Sequence, residues 1–193
     1  MVPRRIGLFG GSFDPVHSAH VMMARAALDE LQLDRLFIIP ASRSPFKPEQ
    51  PPALDEDRLA MLEAAFGGLE GCEIDRLELE REGVSYAIDT VRGFTDRFPE
   101  AELFYLIGND HVPTLTQWRE AEALAQILTI VVVPRPGEDA IELPTPFRGD
   151  CLEVELLDIS SSDIRARLRS GETVDHLVPP SVAKILSNKR VYQ

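Results

Sequence analysis

The stretch that decides the fold is Gly7-Leu8-Phe9-Gly10-Gly11-Ser12-Phe13-Asp14-Pro15-Val16-His17-Ser18-Ala19-His20. It includes the end of a short apolar segment, residues 5–9, which has the composition of a buried strand. It also opens residues 18–33, where apolar side chains recur with helical periodicity. The stretch therefore predicts a strand, a glycine-rich turn and a helix in direct succession. His17 and His20 fall at the start of that helix.

The same order of elements continues along the chain. Further strands are expected at 35–40, 72–80, 103–107, 127–133 and 152–157, and further helices at 55–66, 86–98, 120–126, 161–169 and 181–187. Strands that alternate with helices predict an α/β fold with a doubly wound parallel sheet. We expect one domain, residues 1–193, with a small helical portion from about residue 160.

Composition narrows the class of partner. The 193 residues are 44% hydrophobic and carry a net charge of −12, which argues against long nucleic acid because polyanion binding depends on a basic surface. A small anionic ligand remains compatible, since a few local basic groups and backbone N–H groups can hold it. No apolar run approaches the roughly 20 residues of a membrane span. The two cysteines, Cys72 and Cys151, have no metal-binding or redox spacing, so we expect a cytoplasmic protein.

Glycine-rich and polar segments follow several of the predicted strands. They are residues 10–20, 40–47, 108–118 and 134–137. The carboxyl ends of parallel strands meet at one edge of the sheet, and ligands of doubly wound folds bind beyond that edge. These four segments are therefore expected to form one ligand site.

The first of these segments has the features of a phosphate site. Its glycines let the backbone approach a ligand closely, and the helix N-terminus that follows offers free N–H groups. His17 and His20, three residues apart, face the same side of a first helical turn and could supply two donors. A plain glycine turn with two partly exposed histidines is the alternative. A zinc site is less favoured, because the glutamate of the His-Glu-x-x-His pattern is missing.

The segment Asp158-Ile-Ser-Ser-Ser-Asp-Ile-Arg165 predicts a second helix start. Ser160 and Asp163 have the spacing of a capping box, which by itself requires no ligand. Arg165 adds a cation on the first turns, where it could meet the same anion as the helix N-terminus.

Residues 108–118 contain the only tryptophan of the chain, Trp118. A single tryptophan can be a core or surface anchor, or it can be a flat platform for an aromatic ring. With the second interpretation, Asp110 would accept hydrogen bonds from sugar hydroxyls.

Four motifs together resemble a known family. Residues 10–20, 79–90, 108–118 and 159–165 are similar, in this order, to the motifs of the nucleotidyltransferase superfamily with the (H/T)xGH signature. The two middle motifs resemble more narrowly the bacterial nicotinate mononucleotide adenylyltransferases. The resemblance implies a Rossmann-like nucleotidyltransferase fold. It also implies an enzyme of NAD biosynthesis that transfers AMP from ATP to nicotinate mononucleotide, giving deamido-NAD and pyrophosphate.

The resemblance also implies a role for individual residues. His17, His20 and Arg165 would be catalytic, and Mg2+ would bridge ATP oxygens without a metal site of the protein's own. The residues implied to bind ATP are Gly10, Gly11, Ser12, Phe13, His17, His20, Ile159, Ser160, Ser161 and Arg165. The residues implied to bind nicotinate mononucleotide are Lys47, Ser85, Tyr86, Ala87, Asp110, Trp118 and Arg119. Trp118 would stack on the pyridine ring, and backbone N–H groups around Ala87 and Arg119 would receive its carboxylate.

The sequence differs from the family pattern at three positions. Ala19 replaces a glycine between the histidines, and its methyl group is expected to narrow the space for the ligand. Ala87 replaces a threonine, and Phe46 replaces a histidine. Other functions remain open from the residues alone: nicotinamide mononucleotide or phosphopantetheine as the acceptor, or a nucleotide-binding module with weakened catalysis. Phosphopantetheine would leave residues 85–90 and Trp118 unexplained.

Overall fold

The structure, a computed structural model, describes residues 2–43, 52–134, 137, 141–154 and 157–192. The strands are β1 (Arg5–Gly11), β2 (Arg35–Pro40), β3 (Cys72–Ile74), β4 (Glu102–Gly108), β5 (Leu128–Val133) and β6 (Gly149–Cys151). The helices are α1 (Ser18–Glu30), α2 (Asp55–Phe66), α3 (Leu77–Arg81), α4 (Ala87–Arg97), α5 (Ala121–Ile127), α6 (Ser161–Arg169) and α7 (Pro180–Lys189). A 3₁₀ helix, Asn109–Gln117, follows β4.

The strands form one parallel sheet in the order β3-β2-β1-β4-β5-β6. The register places Gly10 beside Ile39 of β2, and Phe9 beside Leu106 of β4. The strand order therefore reverses at β1, between its two neighbours β2 and β4. Such a reversal leaves a crevice beyond the carboxyl ends of the two central strands.

Helices cover both faces of the sheet. Phe104 and Leu106 of β4 belong to one core, together with apolar residues of α1, α2, α6 and α7. Leu103, Tyr105 and Ile107 alternate with them and belong to a second core, with residues of α4 and α5. Each central strand is thus apolar on both sides, as expected for a doubly wound sheet. The predicted α/β fold with a parallel sheet is confirmed.

Most predicted elements are present, with ends that shift by at most three residues. The strand predicted over residues 72–80 is wrong in its second half. Only Cys72–Ile74 pairs with β2, and residues 77–81 form α3. The Asp75 carboxylate accepts a hydrogen bond from the Leu77 N–H at 2.9 Å, which starts the helix. The alternating Leu-Glu-Leu-Glu pattern resembles a strand, although leucine and glutamate favour helices.

The strand predicted over residues 152–157 is also misplaced. The edge strand β6 comprises Gly149–Cys151, and Leu152 continues the hydrogen bonding, to the Val132 carbonyl. Residues 155 and 156 of the predicted strand lie outside the described residues. A Cβ atom at Gly149 would lie 1.8 Å from the Ile130 carbonyl oxygen, so only glycine fits against β5 there. The strand depends on this close backbone approach, and apolar periodicity does not reveal it.

Membrane insertion by a helix has no support in the part of the chain that the structure describes. None of the helices in that part is both long and apolar enough to cross a bilayer.

A fully buried arginine joins the segments that follow β1 and β2. Arg58 of α2 has no exposed surface, and its Nη1 donates to the carbonyls of Ser12 at 2.9 Å and Ala41 at 2.8 Å. Its Nη2 donates to Asp55 at 2.5 Å. One guanidinium thus joins α2 to the β1–α1 loop and to the residue that follows β2, because its fork reaches both carbonyls at once.

Replacing Arg58 with alanine is expected to lower the free energy of unfolding by about 3 kcal/mol, because two buried carbonyls lose their donor and a cavity remains. Arg76→Ala is the matched control: this half-exposed arginine pairs with Glu63, and its loss should change stability by less than about 0.5 kcal/mol. Urea denaturation measures both values. Equal effects of the two substitutions would contradict the role given to Arg58.

Candidate active site

A cavity of about 880 Å³ lies beyond the carboxyl ends of β1 and β4. Its wall is formed by the β1–α1 loop, the residues after β2, the segment before α4, the 3₁₀ helix and the first turns of α6. This is the edge at which the order of the strands reverses, where doubly wound folds bind their ligands.

Most of the residues predicted from the sequence meet in this cavity. Those that line it are Gly10, Gly11, Ser12, Phe13, His20, Ser85, Tyr86, Ala87, Trp118, Arg119, Ser161 and Arg165. Those that do not line it are His17, Asp110, Ile159 and Ser160. Lys47 and Phe46 lie outside the described residues.

The two glycines at the end of β1 bring the backbone close to two aromatic rings. A Cβ atom at Gly10 would lie 3.0 Å from the Tyr105 hydroxyl, and one at Gly11 would lie 3.1 Å from the Phe13 ring. Both approaches are tighter than ordinary van der Waals contact, so side chains here would push the loop away from β4. The two glycines therefore allow the backbone to lie close to the Tyr105 and Phe13 rings.

The two histidines stack on each other at the N-terminus of α1. Their ring centroids are 3.7 Å apart, and the planes are inclined by 27°. The His17 N–H donates to Nδ1 of His20 at 3.2 Å. Since Nδ1 acts as an acceptor, the proton of a neutral His20 lies on Nε2. His20 therefore has a donor to offer to the cavity that it lines.

Burial keeps both imidazoles neutral at pH 7. It lowers the pKa of His17 from 6.5 to about 4. Burial, and then repulsion from His17, hold the pKa of His20 well below 6.5. His17 is only 4% exposed, and among the described residues its Nδ1 has no hydrogen-bond partner. Its ring stacks on the ring of His20, and it does not line the cavity wall.

Two side chains of α6 anchor that helix to the β1–α1 loop. The Ser161 hydroxyl donates to the Pro15 carbonyl at 2.9 Å, and Arg165 Nη1 donates to the Asp14 carbonyl at 2.7 Å. The Asp14 carboxylate in turn accepts from the Tyr192 hydroxyl at 2.6 Å. Arg165 still lines the cavity, so this network aims a guanidinium at the same space as His20.

The residues just before Ser161 have a structural role in the described chain. The Ser160 hydroxyl accepts from the Asp163 N–H at 3.1 Å and donates to the Asp163 carboxylate at 2.7 Å. The N-cap predicted from the spacing of these residues is therefore confirmed. Ile159 is half-buried and packs against the core. The assignment of both residues to ATP stays a prediction.

Aromatic and cationic side chains form the other end of the cavity. Trp118 is half-buried, edge-on to the Tyr105 ring at 6.1 Å, and its indole N–H donates to Thr114 at 3.4 Å. The Arg119 guanidinium lies 4.9 Å from the centre of the Tyr86 ring. Because one edge of the indole is held by these neighbours, Trp118 can present its ring to a flat ligand.

Asp110 lies at the start of the 3₁₀ helix and is exposed. One of its carboxylate oxygens lies 2.6 Å from the place that a Cβ atom at Gly108 would take. Glycine is therefore required at the end of β4 for the Asp110 side chain to fold back. Its predicted role toward a sugar stays a prediction.

The methyl group of Ala19 does not narrow the cavity. Ala19 is 3% exposed and does not line the wall, so its side chain packs inside the protein. The expected crowding of the ligand by this residue is therefore wrong for this structure. The methyl group points away because Ala19 lies between the two histidines on the helix and faces a different side.

Several lining residues were not named individually from the sequence. Asp14, Arg43, His111 and Thr114 lie within segments expected to form the site, whereas Glu78 and Tyr105 lie outside them. The signal for Tyr105 was present, because a phenol in an apolar strand places a hydroxyl near the functional edge. The sequence gives no such indication for Glu78, because the surrounding Leu-Glu-Leu-Glu alternation is typical of an element with one solvent-exposed face.

The end of the cavity near His20 is lined by N–H and O–H donors and by Arg165, whose guanidinium lies 3.8 Å from the Asp14 carboxylate. Over the described ranges, no group of three or more histidine, cysteine or acidic side chains could hold a metal ion. Such a donor set is suited to an anion, and any divalent cation would be held mainly by oxygens of that anion.

Known proteins are similar to this chain in both sequence and fold. Residues 8–167 match the model of the cytidylyltransferase-like family. A relative from Gemmatimonas aurantiaca, named probable nicotinate-nucleotide adenylyltransferase, is 39% identical over 98% of this chain and 92% of its own length. One of the same name from Geobacillus thermodenitrificans is 40% identical over 97% and 86%. The solved structure of Plasmodium falciparum nicotinic acid mononucleotide adenylyltransferase complexed with NaAD has the same fold, with a TM-score of 0.83 at 17% identity over 98% and 97% of the two chains.

The lowered pKa of His17 predicts acid sensitivity. A histidine whose pKa is lower in the folded state stabilises the fold fully above its unfolded value, and this stability is lost as the pH falls through the folded value. For His17 the window runs from pH 6.5 to about 4, and roughly 3 kcal/mol should be lost across it. His17→Gln should therefore flatten the fall in unfolding free energy between these pH values. His20 contributes with the same sign, so part of the slope remains. Identical slopes for the two proteins in urea titrations would contradict the buried, neutral His17.

Proposed function

The chain belongs to the cytidylyltransferase-like family and, within it, to the nicotinate-nucleotide adenylyltransferases. On that basis we propose that it transfers AMP from ATP to nicotinate mononucleotide, giving deamido-NAD and pyrophosphate. The observation that carries the proposal is the cavity at the sheet edge. Hydrogen-bond donors on α1 and α6 lie at one end, and the aromatic side chains of Tyr86 and Trp118 lie at the other.

The phosphate end is suited to the triphosphate of ATP. His20 donates from Nε2 as a neutral group, and Arg165 contributes a permanent charge with a planar fork. The ligand replaces water at donors that the loop already holds in place, so little reorganisation is needed during the reaction. Charge that builds up on the leaving pyrophosphate is offset by these groups.

The reaction needs positioning more than proton transfer. An oxygen of the 5′-phosphate of nicotinate mononucleotide forms a bond to the α-phosphorus of ATP, and the bond from that phosphorus to the bridging α,β-oxygen breaks. Pyrophosphate leaves with the electron pair. A phosphate monoester has its second pKa near ~6, so the nucleophile is mostly ionised at neutral pH. Catalysis then rests on alignment of the two phosphates and on electrostatic stabilisation.

The acceptor end is suited to a pyridine ring with an anionic substituent. Trp118 provides the stacking surface, and the N-terminus of α4 at Ala87 provides backbone N–H groups. The replacement of the family's threonine by Ala87 keeps such a backbone contact. Arg119 lies at this end over the Tyr86 ring and 3.7 Å from the Asp89 carboxylate, so the preference for a carboxylate over an amide rests mainly on the backbone N–H groups.

Two further expectations belong to the proposal. Mg2+ enters with ATP and supplies charge neutralisation on the phosphate oxygens, which fits a wall of cationic and N–H donors. A cytoplasmic location is inferred from the two unpaired cysteines, Cys72 and Cys151.

The direct test supplies the protein with ATP, Mg2+ and one acceptor at a time, and measures released pyrophosphate. We expect turnover with nicotinate mononucleotide and a kcat/KM at least ~10-fold lower with the amide analogue, a difference of about 1.4 kcal/mol from the charge of the carboxylate. Phosphopantetheine should give no product. A preference for the amide would overturn the assigned substrate, and no turnover with any acceptor would support a module without catalysis.

His20→Ala tests the phosphate end. Removing one preorganised donor should lower kcat by about 10²-fold or more, whereas the melting temperature should change less, because the fold loses one modest interaction, the hydrogen bond from the His17 N–H. His176→Ala is the matched control, since this histidine is exposed and does not line the cavity. Steady-state kinetics and thermal melts of both variants are compared. A folded His20→Ala protein with unchanged kcat would refute the role of this donor.

A further inference from the structure

Glu78 is a buried carboxylate that the proposed reaction does not use. It lies on α3, is only 4% exposed, and lines the acceptor end of the cavity. Acidic side chains are seldom buried unless they are paired or hydrogen-bonded. Its partners therefore indicate what the residue does.

Two hydroxyl groups hold the Glu78 carboxylate. The Thr90 hydroxyl donates to its Oε1 at 2.5 Å, inside the protein. The Ser85 side chain also acts on this carboxylate, and its hydrogen bonding lowers the pKa of Glu78. Thr90 belongs to the first turns of α4, and Ser85 directly precedes the N-cap residue Tyr86. Glu78 thus grips the chain on both sides of the Tyr86–Ala87 peptide.

Ser85 extends this network to the end of β2. Its hydroxyl also accepts from the Ser42 N–H at 3.0 Å, and its own N–H donates to the Arg43 carbonyl at 2.9 Å. Ser85 therefore connects the surroundings of Glu78 on α3 with the loop after β2. Glu78, Ser85 and Ser42 each line the cavity.

The buried position of Glu78 is unfavourable for a charged carboxylate. Burial raises the pKa of its carboxyl above the ordinary value, while the hydrogen bonds from Thr90 and Ser85 and the nearby Arg81 act in the opposite direction. An apolar residue could fasten α3 to α4 without this penalty, because buried ionic groups are often replaceable by packed hydrophobic ones. A specific requirement for two aligned hydroxyls explains why a carboxylate is there.

We propose that Glu78 is a positioning residue for the acceptor: by holding Ser85 and Thr90 it fixes the N–H groups at the start of α4 that receive the pyridine carboxylate. The inference rests on the proposed function and assigns the geometry of its acceptor end to a residue that touches no reacting atom. The phosphate end, formed by α1 and α6, is held by separate contacts. Loss of Glu78 therefore affects the two substrates differently.

Glu78→Ala should raise the KM for nicotinate mononucleotide about 10-fold, the effect of losing two hydrogen bonds that orient the binding groups, while the KM for ATP changes less than about 2-fold. Glu78→Gln keeps an acceptor for Thr90 and an amide that can meet Ser85, so it should restore the KM to within about 3-fold of the original. Thr90→Val, of nearly the same shape without the hydroxyl, should show part of the alanine effect, and serves if Glu78→Ala does not fold.

Leu186→Ala provides the stability control. This residue is buried in α7 within the other core, so its substitution should lower the melting temperature without changing the ratio of the two KM values. Equal increases of both KM values in Glu78→Ala, or a Glu78→Gln protein as impaired as Glu78→Ala, would overturn the proposal. So would unchanged kinetics of a folded Glu78→Ala protein.

Failure of the proposed function is distinguishable from failure of this inference. If the unsubstituted protein does not turn over nicotinate mononucleotide, the proposed function is wrong. Amide hydrogen exchange at residues 85–90 then decides on the clamp by itself. Faster exchange in Glu78→Ala, restored in Glu78→Gln, supports the clamp, and equal exchange in all three proteins overturns it.

Discussion

The site depends on one contact between distant parts of the chain, the attachment of α6 to the β1–α1 loop. Ser161 and Arg165 donate to the backbone carbonyls of Pro15 and Asp14, at 2.9 and 2.7 Å. These bonds bring two helix N-termini to the same end of the sheet, although almost 150 residues separate them. Without this attachment the Arg165 guanidinium would keep its hydrogen bond to the Ser162 hydroxyl but lose its contact with the β1–α1 loop.

The sequence predicts the parallel sheet well because both faces of its central strands are apolar, and it predicts the site because its motifs follow those strands. What it does not predict depends on contacts across the fold. Gly149 belongs to an edge strand whose backbone lies close to the Ile130 carbonyl. Glu78 lines the cavity because residues 77–81 form a helix. For the same reason Ala19, placed between two site histidines in sequence, packs away from the cavity.

Burial of the histidines links stability to chemistry. His17 and His20 are neutral because the protein around them excludes water, and this lowers stability in acid. In return, a neutral imidazole with its proton fixed on Nε2 can donate to a phosphate without first losing a hydration shell. Arg165 on α6 carries a permanent positive charge, whereas His20 on α1 is a neutral donor. The two helices therefore supply different kinds of group. At the acceptor end of the cavity, Glu78 orders the chain separately, through a hydrogen bond from Thr90.

The central claim is that the β1–α1 loop and α6 form one phosphate site with a neutral His20 as donor. Nuclear magnetic resonance of ¹⁵N-labelled histidine tests it most directly, since the four imidazoles give separable signals. At pH 7 the account predicts a neutral His20 with its proton on Nε2, and a change of that signal when ATP and Mg2+ are added. A proton on Nδ1, a charged ring before ligand is added, or a signal indifferent to ATP would contradict it.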